Sequence, residues 1–305
     1  MSAILPEERL NFVGASELGA LIDEDNFKTR YQLWHEKNRT LPVEDLSSNQ
    51  AVQRGVYLES AVANWLADTS GFVIEKVTKH FSEDKLGASL DYIITNDSRG
   101  NGALEIKTTA LRDSDKWSCY DDLPLKFQLQ HQAQMGLAGC SWGVIGVLTG
   151  GLKLLSFECD FRPSVYEKVK ALVASFWKSI ELGEEPAYTD ADIKTRMTLL
   201  QDFVPEKAVD FSDDVAIAEI VSAYAKFERD EKIAAQGKEL TKLGILEVMG
   251  DSERMVCGDF SVKRVSVAAK PDSFITQEMV GQVIKGRAGH SKFLFKRQLG
   301  VNDNG

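Results

Sequence analysis

The stretch LDYIITNDSRGNGALEIKTTA, residues 90–110, decides the fold. Two apolar runs, LDYIIT and ALEIKTT, flank a turn rich in Asn, Asp and Gly, the pattern of two strands folded back on each other. Side chains two apart in a strand share a face, so Glu105 and Lys107 point the same way, and the hairpin brings Asp91 alongside them. Two carboxylates beside one ammonium are costly to bury without a ligand. A divalent ion would neutralise the carboxylates, and Lys107 would polarise a water or a phosphate oxygen. The plain alternative for Glu-x-Lys is a solvated strand face, so the surrounding chain has to choose between them.

Upstream, GFVIEKVTKHF (71–81) and GASLDYIIT (87–95) read as strands. Before them, AVQRGVYLESAVANWLADTS (51–70) reads as a helix with an apolar stripe of Val52, Val56, Leu58, Val62, Trp65 and Leu66, closed by Gly71. Glu59 falls with Gly55 and Ala63 on a face away from that stripe, where it is either a third carboxylate ligand or a solvent-facing residue. NFVGASELGALIDE (11–24) reads as an entry turn and a short helix with Ser16 as N-cap. Arg9, just before it, suits bidentate phosphate contact.

Downstream, PLKFQLQHQAQMGLAG (124–139) reads as a helix opened by Pro124. Leu129, Ala133 and Leu137 form its apolar stripe, and Gln130 and Gln134 share another face. A glutamine amide can orient a hydrolytic water or hold a phosphate; a polar helix surface is the alternative. WGVIGVLTGG and LKLLSFECD form a hairpin at Gly150 and Gly151, and 165–183 is an amphipathic helix ending at Gly183. Helix, three strands, helix, two strands, helix predicts an α/β fold with a central mixed β-sheet flanked by helices. EEPAYTDADI (184–193) reads as a linker, which sets domains of 1–189 and 190–305. The second is a C-terminal extension: a polar helical segment over 212–249 interrupted at Gly237, an edge strand over 258–267 within a β-hairpin, and a basic end.

With 43% hydrophobic residues, the chain can bury a core and is not a disordered one. No apolar run reaches the length of a membrane span, and MSAILPEERL lacks the apolar stretch of a secretory signal, so no membrane partner is expected. The four cysteines form no C-x-x-C pair, which points to reduced thiols and a cytoplasmic location. The net charge of −10 argues against a uniformly basic nucleic-acid binder. Charge is uneven, however: residues 261–297 carry a net +6 and the last eight residues −1, leaving −15 on residues 1–260. A local basic strip can bind phosphates while the remaining surface stays acidic.

The trio Asp91, Glu105, Lys107 has the form D-x(13)-E-x-K and resembles the core of the PD-(D/E)xK nucleases. In order along residues 9–185, the pieces R…GASE, RGxxLE, SLDY, LEIK and P…QxQ followed by Gly139 resemble the lambda-exonuclease family, in its YqaJ-like viral recombinase branch. The resemblance implies a restriction-endonuclease-like core. It implies Glu59, Asp91 and Glu105 as metal ligands, Lys107 as the catalytic lysine and Gln130 as the motif glutamine, with Gln128 and Gln132 as neighbouring alternatives that would contact DNA. Arg9 and Ser16 look like the family's 5′-phosphate contacts, and Arg112 falls near its second arginine. Thr108–Thr109 follows Lys107 where many members have Cys-Pro or a small residue.

Two or three carboxylates without His or Cys suit Mg²⁺, with Mn²⁺ able to substitute, as one or two ions. The resemblance implies 5′→3′ digestion of linear double-stranded DNA ends, leaving 3′ single strands for recombination by annealing. It also implies a homo-oligomer, a trimeric ring around DNA, and a single-strand annealing protein as partner, in a bacterial host cytoplasm if the gene is a phage's. Two rival readings share the same residues: a PD-(D/E)xK endonuclease, and a module that grips DNA ends without cutting. The chain lacks helicase motifs and an iron–sulfur cysteine set, which argues against a helicase-linked nuclease domain.

Overall fold

The computed structural model describes residues 6–25, 27–46, 48–109, 116–150, 153–201, 206–267, 273–274, 283–284 and 290–297. The chain packs as two compact units, Met1–Pro205 and Glu206–Gly305.

The first unit runs α1 (Pro6–Arg9), β1 (Val13–Gly14), α2 (Leu18–Leu21), α3 (Arg30–Lys37), α4 (Gln50–Ser70), β2 (Ile74–Lys76), β3 (His80–Glu83), β4 (Leu86–Ser89), β5 (Tyr92–Ile94), β6 (Gly102–Thr109), α5 (Leu125–Ala138), β7 (Trp142–Thr149), β8 (Lys153–Asp160), α6 (Pro163–Leu182) and α7 (Ile193–Leu199). Its main sheet has the order β2-β5-β6-β7-β8. Only β6 and β7 pair in parallel, and α5 is the crossover that parallel pairing requires. This is the expected α/β architecture, a central mixed sheet flanked by helices.

Strand periodicity sorts β6 between two layers. Leu104 and Ile106 face α4, where they pack with Val62, Ala63 and Leu66. Ala103 faces α5 and packs with Met135, Ile145 and Val147. Glu105 and Lys107 are in phase with Ala103, so they emerge on the α5 side. Outside α5, α2, α3 and α6 close a second apolar layer around Ala133, with Leu18, Leu33, Val173 and Phe176.

Two expected strands each divide. GFVIEKVTKHF becomes β2 and β3, and GASLDYIIT becomes β4 and β5. β3 and β4 pair through a two-residue turn at Asp84 and Lys85, both at positive φ (47° and 63°), and join β1 in a small separate sheet. β2 and β5 stay in the main sheet. Asp91 sits where the chain leaves one sheet for the other. β5 pairs antiparallel with β6, Tyr92 opposite Leu104, so Asp91 adjoins Glu105 as the hairpin reading expects.

α4 starts where the Asn49 side chain accepts from the N–H groups of Ala51 and Val52, and it ends at Gly71 with φ 71°. Its buried face differs from the expected one. Ala63 is fully buried, while Val52, Val56 and Trp65 are 42%, 55% and 44% exposed. The helix is rolled so that its small residues meet the sheet; a Cβ on Gly55 would lie 3.9 Å from Thr108 Oγ1. That roll carries Glu59 inward rather than to solvent.

The first unit also extends past the boundary set at 189. Buried Asp192 accepts from the Thr29 hydroxyl, Gln32 Nε2 donates to Thr195 Oγ1 at 3.0 Å, and Arg196 donates to Tyr31 Oη at 3.1 Å. In the second unit, α8 (Val215–Met249) is continuous through Gly237, with no interruption there. A single glycine inside a long helix costs only about 1 kcal/mol relative to alanine. β9 (Arg254–Cys257), β10 (Phe260–Val267), the short pair β11 (Ser273–Phe274) and β12 (Val283–Ile284), and β13 (His290–Arg297) follow. β10 is the centre of the order β13-β10-β9, not an edge. Alternating residues report a strand's two faces and say nothing of its two edges. Among the described residues no helix is long and apolar enough to cross a membrane.

Candidate active site

Glu105 is the most tightly held side chain of the site. Its residue is 5% exposed. One oxygen, Oε1, accepts from Lys107 Nζ at 2.6 Å and from Gln130 Nε2 at 2.6 Å. The other, Oε2, accepts from Gln134 Nε2 at 2.6 Å. Lys107 Nζ also donates to Gln130 Oε1 at 2.8 Å, which closes a triangle of Glu105, Lys107 and Gln130. Gln134 donates in addition to the Ser89 carbonyl at 2.9 Å, so it ties α5 to the end of β4. Charge-assisted bonds of this kind are the strong ones, and here they fix the carboxylate's orientation.

Asp91 accepts the Ile106 N–H at 2.8 Å. Its carboxyl is raised to about 8 by burial first and then by the charges of Glu105 and Glu59; the Ile106 N–H and Lys107 only partly offset them. Glu59 reaches in from α4 and pairs with Lys76 of β2. The Lys76 ammonium also lies 4.6 Å over the Tyr92 ring. Burial works against its charge, but Glu59, Tyr92 and Asp91 together hold its pKa above the ordinary value.

A cleft of about 350 Å³ opens beside these groups, lined by Arg9, Ser16, Glu59, Lys76, Asp91, Gln130 and Gln134 among others. Arg9 and Ser16, from the N-terminal segment, thus share one concavity with Glu59 and Asp91. Arg112 lies outside the described residues. Ser16 is not an N-cap: it sits inside a 3₁₀ turn, Ala15–Glu17, which Glu17 secures by accepting the Gly14 N–H at 2.9 Å. Glu17 also accepts from Lys37 Nζ at 2.7 Å, and Lys37 donates to the Arg9 carbonyl at 2.8 Å. Burial alone would raise the Glu17 carboxyl, but Lys37, Lys28 and the Gly14 N–H hold it below its ordinary range. This buried pair fixes the segment that presents Arg9 and Ser16.

The glutamine run divides by role. Gln130, Gln132 and Gln134 are buried, so α5 is not a polar surface. Gln128 and Gln132, expected as DNA contacts, have their amides bonded to backbone. Gln128 Nε2 donates to the carbonyls of Leu123 (2.8 Å) and Asp121 (3.2 Å). Gln132 donates to the Asp160 carbonyl at 3.1 Å and accepts the Arg162 N–H at 2.7 Å. Gln130 and Gln134, one turn apart, are the pair that face Glu105. The groups missed in the sequence are Gln134's bond to Glu105, the Lys76–Glu59 pair and the Glu17–Lys37 pair. The i, i+4 relation to Gln130 could have signalled the first; the other two join residues far apart in sequence.

As a donor set, Glu59, Asp91 and Glu105 fit a hard divalent cation. They supply only carboxylate oxygens, and the buried Asp91 is pushed toward its neutral form by negative charge that a cation would relieve. They do not form a closed cage: among the described residues no three His, Cys, Asp or Glu side chains converge tightly enough to hold an ion by themselves. Lys76 holds Glu59 and Lys107 holds Glu105. All four cysteines are free thiols, two of them buried in the core.

The profile of the YqaJ-like viral recombinase domain matches residues 6–141. Over 262 residues the chain is 24% identical to the uncharacterized protein YqaJ of Bacillus subtilis strain 168, covering 83% of this chain and 80% of that one. Among solved structures, it resembles an alkaline exonuclease (LHK-Exo) from Laribacter hongkongensis with a TM-score of 0.46 and 18% identity, over 64% of this chain and 97% of that one. It resembles a phage related exonuclease from Haemophilus somnus 129PT with a TM-score of 0.45 and 15% identity, over 56% and 94%. The match of the profile and the long alignment to YqaJ agree with the order of motifs around the cleft: residues 6–141 are similar to the YqaJ-like viral recombinase domain.

Proposed function

We propose that this protein is a metal-dependent deoxyribonuclease with a restriction-endonuclease-like core, acting as a 5′→3′ exonuclease on the ends of linear double-stranded DNA. The observation that carries the reading is the Glu105, Lys107, Gln130 triangle beside buried Asp91, with Asp91 and Gln130 lining one cleft with Arg9. Glu59, Asp91 and Glu105 would hold Mg²⁺, or Mn²⁺ in its place. Such an ion, when bound, supplies Lewis acidity toward a phosphate and an acidified water. Asp91 would release its proton on ion binding, since a carboxylate ligand must be ionised. Lys107 keeps an ammonium where charge builds on the phosphate in the transition state. Gln130 holds that ammonium and Glu105 in mutual register. Arg9 and Ser16 would receive the terminal 5′ phosphate, with Arg112 as a further cation. The 3′ strands left behind would pass to a single-strand annealing protein, and a homo-oligomeric ring would retain the duplex.

End-labelled linear duplex and covalently closed circular DNA, each with Mg²⁺ and with EDTA, test the reading. Mg²⁺-dependent loss of linear DNA alone, from 5′ ends, is expected. Lys107→Ala should lower that rate by about 100-fold or more while end binding and folding persist, the scale seen when one transition-state donor is removed. Near-normal digestion by that variant would remove Lys107 from the site. Nicking of the circle would favour an endonuclease, and end binding without cleavage a gripping module.

A further inference from the structure

Lys76 has no part in the trio of carboxylates and lysine that the chain's motifs single out, yet it stands among them. It ends β2, opposite Tyr92 of β5, the residue that follows Asp91. Its ammonium pairs with Glu59 and rests on the Tyr92 ring, 4.6 Å from the centroid. Its side chain is 35% exposed and that of Glu59 20%, so the pair is neither buried nor free in solvent. Both residues line the cleft shared with Arg9 and Ser16.

The charges explain why this matters. Glu59, Asp91 and Glu105 are faced by two ammonium groups, Lys76 and Lys107, and Lys107 is bound to both Glu105 and Gln130. Lys76 has Glu59 as its one carboxylate partner among the contacts described. A divalent ion at Glu59 would compete with the Lys76 ammonium for the same carboxylate and repel it, whereas Lys107 has Gln130 Oε1 to keep it in place beside Glu105. A lysine stem is flexible, with a compact charge at its end, so it can leave one anion for another nearby.

We propose that Lys76 is a displaceable counter-cation and positioning residue: it holds Glu59 in the metal-free protein, yields Glu59 to a divalent ion, and then turns its ammonium to a DNA phosphate in the cleft. The proposal rests on the nuclease reading of the same site. It makes metal loading and phosphate binding successive events through one side chain. It also fits the absence of a closed cage among the described residues: Glu59 is held by Lys76, as Glu105 is by Lys107.

Calorimetric titration of the full chain with Mg²⁺, without DNA, tests the first half. Lys76→Met should bind Mg²⁺ several-fold more tightly than wild type, and Lys76→Arg should keep the wild-type affinity. In a Glu59→Gln background, Lys76→Met should change nothing. Tightening of equal size in that background would show that Lys76 acts only as a distant charge, and would overturn the proposal. The second half is read by anisotropy of a short 5′-phosphorylated fluorescent duplex. Lys76→Met should weaken binding several-fold with Ca²⁺ and leave it unchanged in EDTA. Equal weakening in both would overturn the hand-over. If wild type binds Mg²⁺ and Lys76→Met does not differ from it, only this proposal fails. If wild type takes up no Mg²⁺, the metal-dependent reading fails with it. A circular-dichroism melt matching wild type accompanies each variant, so that a folding defect is not read as a change in affinity.

Discussion

At Asp91 the fold works against its own charge. The carboxyl is buried, lies beside Glu105 and feels Glu59, and its pKa rises from 3.8 to about 8. The native state therefore keeps a proton that the unfolded chain loses near pH 4. Whatever stability that protonated form provides is present below about pH 4 and is lost as pH rises toward 8, because the unfolded state ionises more readily throughout that window. Asp91→Asn removes the penalty while its side-chain oxygen can still accept the Ile106 N–H. In EDTA above pH 8, this variant should melt about 4 °C or more higher than wild type, taking about 2–4 °C per kcal/mol for a unit of this size. Near pH 4 the two should melt together. A destabilised variant at high pH would mean that Asp91 is ionised at little cost in the metal-free protein. Stabilisation joined to loss of Mg²⁺ affinity is the trade expected of a residue kept for chemistry.

At the scale of elements, the small sheet β1-β4-β3 places the residues that enter the cleft from the N-terminal side. Gly87 of β4 lies opposite Gly14 of β1, and a Cβ there would come within 2.5 Å of the Phe12 ring and 2.8 Å of His80 Nε2. Phe12 and His80 themselves pack in a tilted arrangement, 4.7 Å between centroids. Gly87→Ala must push that pair aside, and with it the turn carrying Ser16. It should destabilise the protein by about 1–3 kcal/mol, the usual cost of overpacking. It should also weaken binding of 5′-phosphorylated ends more than it weakens Mg²⁺ uptake; an unchanged urea midpoint would show that the ring pair moves freely. This sheet was not legible in the sequence. Period-two patterning finds strands, but which strand pairs with which depends on contacts remote in sequence, so β4 and β5 read as one run. The β5–β6 hairpin was legible because its turn chemistry is local and its register places Asp91 by counting. Glu105 and Lys107 came out of the same local counting, while Gln130 came from the resemblance with Gln128 and Gln132 left open. Lys76 did not, because its partner Glu59 is 17 residues away on a helix whose roll about its axis is set by Gly55 and Ala63.

For the whole molecule, the division into two units lies beyond the loop that composition alone marks as a linker. Asp192 is 1% exposed and accepts from the Thr29 hydroxyl, the Thr189 N–H (2.8 Å) and the Thr189 hydroxyl (2.9 Å). Tyr31, also 1% exposed, is covered in part by Arg196 and Tyr188. These contacts belong to the first unit although they come from a stretch rich in Asp, Glu and Thr that reads as solvent-exposed. The second unit is different in kind. Ile220, Tyr224, Phe227 and Leu240 of α8 are all more than 60% exposed, so this long helix does not close an apolar core along its length. A chain ending at residue 205 should then melt like the first unit of the intact protein, within about 2 °C. A chain ending at residue 189 removes the acceptor of Thr29 and the Arg196 donor to Tyr31. At about 1.5–3 kcal/mol for each hydrogen bond to a charged group, it should melt about 5 °C or more lower. Equal melting of the two truncations would place residues 190–199 outside the folded unit. If both bind Mg²⁺ like the full chain, the candidate site depends on the first unit alone, and α8 with its sheet serves something other than the chemistry.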